Sequence, residues 1–109
     1  MKSPITTHIL DTARGAPASG VDVTLFGAAG ELGRGTTDAD GRIGDLLAPG
    51  ALEPGVYRLH FAVAAYLQSS GEPGFYPGVD VHFRVDDPAE HYHVPLLLSP
   101  FGYSTYRGS

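Results

Sequence analysis

Apolar and polar residues alternate along most of this chain, in short runs that turn residues separate. In residues 56–63 and 79–86 every second residue is apolar, which is typical of strands with one buried face. Weaker or shorter runs predict further strands at 5–12, 21–25, 32–37, 42–43, 91–98 and 101–106. Gly and Pro, 15 and 9 residues, are scattered between these runs as turn signals. The pattern therefore predicts an all-β fold of about eight strands.

One helix interrupts the strands. Residues 62–70 contain good helix formers and end in Ser69-Ser70-Gly71, which predicts a short helix. Residues 37–41, Thr-Asp-Ala-Asp-Gly, predict a tight turn, since Asp-Gly supplies the positive φ that such a turn needs. Eight strands with one helix favour two packed antiparallel sheets. At 109 residues, the chain is expected to form a single domain over residues 1–109.

The strand at 91–98 is more apolar than a half-buried strand needs to be. Leu97 lies on the face opposite Leu96 and Leu98, where a half-buried strand should carry polar residues. Cover by a loop explains this, and so does a subunit interface. We favour the interface, which predicts an oligomer.

Charge and composition exclude several classes of function. The chain has 7 basic and 12 acidic residues, a net charge of −5, and Lys2 as its single lysine. Nucleic-acid binding needs a basic surface, so no nucleic-acid partner is expected. No cysteine is present, which excludes disulfides and thiol catalysis. No apolar run approaches the ~20 residues of a membrane span, and the first residues lack the apolar core of a signal peptide. These features predict a cytoplasmic protein with no membrane contact.

Histidines are the main candidates for chemistry. His60 and His82 lie on the polar faces of well-patterned strands and are interpreted as solvated surface residues. His91 and His93 share one strand face and could hold a metal, but a zinc site needs three or four ligands. No further ligand is visible from the spacing, so no metal is expected. His8 is unusual because it shares a strand face with the apolar Leu10.

Four motifs carry a resemblance that covers essentially the whole chain. They are Thr-His-Ile-Leu-Asp-Thr at 7–12, Thr-Thr-Asp-Ala-Asp-Gly-Arg at 36–42, His-Tyr-His-Val-Pro-Leu-Leu-Leu-Ser-Pro at 91–100, and Tyr-Arg-Gly-Ser at 106–109. With these, the sequence resembles the 5-hydroxyisourate hydrolases, also called transthyretin-related proteins. The resemblance implies a transthyretin-like sandwich of two four-stranded antiparallel sheets with one short helix. It also implies a homotetramer with active sites at the dimer–dimer interface.

The resemblance implies an activity as well. It is the hydrolysis of 5-hydroxyisourate to 2-oxo-4-hydroxy-4-carboxy-5-ureidoimidazoline in urate degradation, with no metal or organic cofactor. The catalytic residues carried over are His8, Arg42, His93 and Tyr106. Substrate binding is expected from His8, Arg42 and Tyr106 together with the terminal residues Arg107, Gly108 and Ser109.

The residue types suggest a division of roles. Opening a cyclic amide with water needs a base, a group that stabilises the oxyanion, and an acid for the departing nitrogen. Histidine suits the proton steps, and we favour His93 over His8 as the base. Arg42 stays protonated, so it suits an anionic oxygen and should keep a nearby histidine neutral. Tyr106 is expected to orient the substrate ring.

Two noncatalytic alternatives remain. One is a small-ligand carrier of transthyretin type, and the other is a β-sandwich interaction module. The terminal Tyr106-Arg107-Gly108-Ser109 distinguishes the hydrolases from transthyretin. A carrier of apolar ligands also has no need of two histidines, an arginine and a tyrosine in one place.

Overall fold

The computed structural model describes residues 3–109, so Met1 and Lys2 of the expected domain lie outside the described residues. Within this range the chain forms nine strands and one helix. In chain order they are β1 (Ile5–Asp11), β2 (Ala16–Pro17), β3 (Asp22–Gly27), β4 (Gly30–Thr36), β5 (Arg42–Ile43), β6 (Gly55–Ala62), α1 (Val63–Ser69), β7 (Val79–Val85), β8 (Tyr92–Ser99) and β9 (Gly102–Thr105).

The strands form two sheets, as predicted. The first has the order β2–β1–β8–β9, with β5 also pairing with β1, and the second has the order β4–β3–β6–β7. The two-residue strand β2 was missed by the sequence pattern, because Ala16–Pro17 is too short to show alternation. The predicted elements otherwise appear with their ends moved by a few residues.

One pair of strands corrects the expectation of purely antiparallel sheets. β1 and β8 run parallel, from Ile5 opposite Tyr92 to Asp11 opposite Leu98. The direction of a pair so distant in sequence is set by the whole topology, whereas the alternation of one strand reports only its faces. The parallel register decides which residues of β8 lie beside β1.

The core lies between the two sheets. Alternate residues of β1, β3, β6, β7 and β8 point inward, and Ile9, Leu25, Leu59, Phe61 and Leu96 are fully buried there. The helix closes one end of the core with Val63, Tyr66 and Leu67, which share one face at helical spacing. In the described part of the chain, α1 lacks the length and apolar character that crossing a membrane requires.

The predicted turn before β5 is present and brings Arg42 to β1. Oδ1 of Asp38 accepts hydrogen bonds from the backbone N–H groups of Asp40 and Arg42 at 2.9 and 3.0 Å. Gly41 has φ of +74°, and a Cβ there would lie 2.5 Å from the carbonyl oxygen of Ile9. Glycine is therefore required both for the conformation and for the close approach.

Candidate active site

Three of the predicted site residues share the outer face of the first sheet. In the strand register His8 lies opposite Arg42 of β5 on one side and opposite Pro95 of β8 on the other. His93 is two residues from Pro95, so its side chain points to the same face. His8 and His93 are half-buried, and Arg42 is exposed. The structure therefore brings His8, Arg42 and His93 together, although 34 residues separate His8 from Arg42 along the chain and 51 separate Arg42 from His93.

The surroundings of His93 favour the neutral form of its ring. Its pKa lies below the ordinary value, first because burial disfavours the charged ring, and then because Arg42, His91 and His8 are close. The expected effect of Arg42 is thus present, although burial is the larger cause. Nδ1 of His93 is 2.9 Å from the hydroxyl oxygen of Thr6. Among residues 3–109, no group hydrogen-bonds to Nε2 of His93, so this nitrogen is free for water or a substrate.

The end of the chain packs on His93. Extending the β8–β9 register beyond Thr105 puts Gly108 opposite His93, and its backbone N–H donates to the His93 carbonyl at 2.9 Å. The ladder is interrupted beside Pro95, which has no N–H, and the Thr105 hydroxyl donates to the Pro95 carbonyl at 2.7 Å. A Cβ on Gly108 would lie 2.5 Å from Cδ2 of His93, so only glycine allows this contact.

The other terminal residues do not complete the site within one chain. Tyr106 is 57% exposed and forms no side-chain hydrogen bond with the described residues. The Arg107 guanidinium lies 4.5 Å over the ring of Tyr92 and 3.4 Å from Oε2 of Glu90. Ser109 is exposed. Of the terminal residues predicted from the sequence, Gly108 lies directly against one of the three clustered side chains, that of His93.

These residues match a known family over nearly the whole chain. Residues 5–108 match the HIUase/Transthyretin family. The chain belongs to this family. It is 44% identical to the 5-hydroxyisourate hydrolase of Mus musculus over 113 residues, which cover 98% of this chain and 96% of that protein.

Solved structures similar to this chain include both a hydrolase and a transthyretin with a bound ligand. The Klebsiella pneumoniae 5-hydroxyisourate hydrolase aligns with a TM-score of 0.88 and 35% identity, covering 96% of this chain and 97% of that one. Sea bream transthyretin in complex with thyroxine aligns with a TM-score of 0.89 and 34% identity, covering 97% and 95%. The shared fold therefore does not distinguish the two activities, and the residues at the site must do so.

A cavity of about 260 Å³ opens beside Arg42 in this family member, lined also by Thr6, Asp38, Gly44 and His91. Thr6 and Arg42 share the sheet face of His8 and His93, which do not themselves line this cavity. A second cavity, of about 210 Å³, lies where β7 and β8 meet the chain end and includes Tyr106 and Arg107. Tyr106 thus lies beside a different cavity from Arg42 in the single chain.

The interpretation of His60 and His82 as surface residues agrees with the structure. His82 is exposed, and His60 is a surface residue whose Nδ1 lies 2.8 Å from Oδ1 of Asp80. His91 and His93 gain no third ligand, and in residues 3–109 no three His, Cys, Asp or Glu side chains form a group that could hold a metal ion.

Sequence reasoning missed Thr6 and gave no hydrogen-bond partner for His91. The Thr6 hydroxyl lies 2.9 Å from Nε2 of His91 as well as 2.9 Å from Nδ1 of His93. The signal was present in the sequence, since Thr6 is two residues before His8 and shares its face. It became useful only once the parallel register put Thr6 opposite His93.

Proposed function

We propose that this chain hydrolyses 5-hydroxyisourate to 2-oxo-4-hydroxy-4-carboxy-5-ureidoimidazoline, a step of urate degradation. The observation that carries the proposal is the convergence of His8, Arg42 and His93 on one sheet face, with Nε2 of His93 free and its pKa lowered. The names of the full-length relatives support the same substrate.

His93 acts as the general base in this proposal. Nε2 takes a proton from water, and the water oxygen attacks a ring carbonyl of the substrate. The Arg42 guanidinium stabilises the negative charge that develops on the carbonyl oxygen. The C–N bond then breaks, and the departing nitrogen takes the proton back from the His93 imidazolium. His8 contacts the substrate beside Arg42, and neither a metal nor an organic cofactor takes part.

The polar character of the face favours hydrolysis over a carrier function. Transthyretin from sea bream shares the fold and binds thyroxine, so a carrier is the second candidate. A carrier binds its ligand without converting it, so it does not need an unprotonated imidazole beside a guanidinium. A hydrolase needs this pair, since one group accepts a proton while the other stabilises an oxyanion.

We also propose a homotetramer with its sites between two dimers. Leu10 and Leu97 lie opposite each other on the site face and are only half-buried, which supports a covered face. The edge strands β7 and β9 have one unpaired side each, and open edges favour pairing with another chain. In this assembly Tyr106, Arg107 and Ser109 line the site between the dimers together with His8, Arg42 and His93. A sedimentation mass four times that of one chain is expected. A monomer or dimer that retains full activity would contradict the assembly.

Variants test the site directly. His93→Ala and Arg42→Gln should each lower kcat/KM for 5-hydroxyisourate by about 10²–10⁴, with an unchanged circular dichroism spectrum. His60→Gln is the matched control, because His60 lies on the second sheet with Asp80, and it should stay within about twofold. Equal activity of all three variants would reject the assignment.

The cytoplasmic location remains a prediction from the sequence.

A further inference from the structure

One hydroxyl group connects two imidazoles beside the site. Oγ1 of Thr6 lies 2.9 Å from Nδ1 of His93 and 2.9 Å from Nε2 of His91. His93 is half-buried and His91 is exposed. The three side chains therefore form a continuous hydrogen-bonded chain from the site face to the surface.

A hydroxyl has one proton, so these two hydrogen bonds are linked. If Thr6 donates to His91, its oxygen accepts the proton on Nδ1 of His93. If His91 donates instead, Thr6 gives its proton to Nδ1 of His93. In a neutral imidazole one nitrogen carries the proton and the other accepts. The donor direction of these two hydrogen bonds thus selects the tautomer of His93.

The surroundings of His93 favour the first direction. Nε2 is the nitrogen without a partner in the described residues, so it must be unprotonated for His93 to act as a base. The Thr6 hydroxyl is the hydrogen-bond partner of Nδ1, and in a neutral ring a protonated Nδ1 leaves Nε2 unprotonated. Arg42 and Asp38 line the cavity that Thr6 and His91 share, and Arg107 contacts the His91 carbonyl at 3.4 Å.

We propose that Thr6 is a positioning residue, whose hydroxyl donates to Nε2 of His91, accepts the Nδ1 proton of His93 and so keeps Nε2 of His93 free as the base. His91 acts in the same unit as the acceptor that orients the hydroxyl. This inference rests on the proposed function, because it assigns a purpose to the tautomer through the base role of His93.

The tautomer can be measured without any substrate. Long-range ¹H–¹⁵N correlation spectra of the ¹⁵N-histidine-labelled full-length protein, assigned with His93→Gln, distinguish a protonated Nδ1 from a protonated Nε2. Wild type should show His93 protonated mainly on Nδ1. Thr6→Val, which keeps the shape and loses the hydroxyl, should move a large fraction to Nε2, and Thr6→Ser should restore the wild-type spectrum. His91→Phe should give a partial shift, since Thr6 then has no acceptor.

The kcat for 5-hydroxyisourate should depend on the fraction of His93 that is protonated on Nδ1. A single hydrogen bond changes the ratio of the two His93 tautomers by roughly three- to tenfold. Thr6→Val should therefore lower kcat by about that factor, with KM within about twofold. Thr24→Val is the matched control, because Thr24 is a half-buried strand residue on the second sheet. It should leave kcat unchanged.

Two results would overturn the inference. One is a wild-type His93 protonated mainly on Nε2. The other is a Thr6→Val protein with the wild-type spectrum and kcat. If wild type shows the Nδ1 tautomer and responds to Thr6→Val in the spectrum, but does not accelerate decay of 5-hydroxyisourate, the proposed function fails while the role of Thr6 in setting the tautomer stands.

Discussion

Gly108→Ala tests how closely the chain end controls His93. The added Cβ would lie 2.5 Å from Cδ2 and 3.3 Å from Cγ of the His93 ring, and 3.3 Å from Cγ of Pro95. Carbon atoms in contact are separated by about 3.5–4.0 Å, so the ring or the tail must move by about 1 Å. The φ of Gly108 is outside the positive region, so the alanine adds steric contact without backbone strain.

The expected loss is in turnover. A displacement of about 1 Å in a reacting group costs roughly 10²-fold in rate, whereas residues 106–109 are mostly exposed and contribute little to the core. We expect kcat for 5-hydroxyisourate to fall about 10²-fold, with the midpoint of urea unfolding nearly unchanged. Gly102→Ala is the matched control, since its Cβ would meet Ser99 Oγ at an ordinary 3.5 Å, and its kcat should stay within about twofold.

The result that refutes this reasoning is a Gly108→Ala enzyme with wild-type kcat. It would mean that the tail does not lie on His93 in the active protein. An equal loss in Gly102→Ala would show a general effect on the last strand instead of a specific contact.

Three further predictions follow from other contacts. The proposed base role of His93 requires its neutral ring, so activity should fall as pH drops through the lowered pKa of that group; Arg42→Gln removes the second-largest cause of the shift and should move the acid limb of the kcat/KM profile to higher pH. Tyr66→Phe should destabilise the fold by about 1–3 kcal/mol in urea unfolding at fixed protein concentration, because the Tyr66 hydroxyl donates at 2.7 Å to Oδ2 of buried Asp11; Tyr103→Phe, as a control, should change stability by less than about 0.5 kcal/mol. Deletion of residues 107–109 should lower kcat strongly and change the melting temperature little. A lower melting temperature with full activity would show that these residues are structural.

Alternation and turn chemistry were sufficient to predict most of the fold. The buried faces of β6 and β7 follow from their period-2 pattern, and the Asp38–Gly41 turn follows from Asp-Gly. The parallel direction of β1 and β8 was not predictable in this way, because both directions bury the same alternate residues. Long-range direction is a property of the whole topology, which one strand does not encode.

The site residues were predicted by resemblance, and their arrangement required the structure. Spacing along the chain does not bring His8 to Arg42; the turn and the β1–β5 register do. Gly108 was expected only as a substrate-binding residue, and the structure shows that its lack of a side chain makes room for the His93 ring. Motif reasoning did not single out Thr6, because a threonine on a strand is common and its hydrogen-bond partners are known only from the structure.

Catalysis itself is the central claim, and the ultraviolet decay of fresh 5-hydroxyisourate tests it most directly. The substrate is generated from urate with urate oxidase, and its decay is recorded with and without chelator-treated protein. We predict a decay that exceeds the spontaneous rate in proportion to protein concentration and that His93→Ala reduces by about 10²–10⁴. Decay at the spontaneous rate with a folded wild-type tetramer would contradict the account, and the His8–Arg42–His93 face would then be assigned to ligand binding.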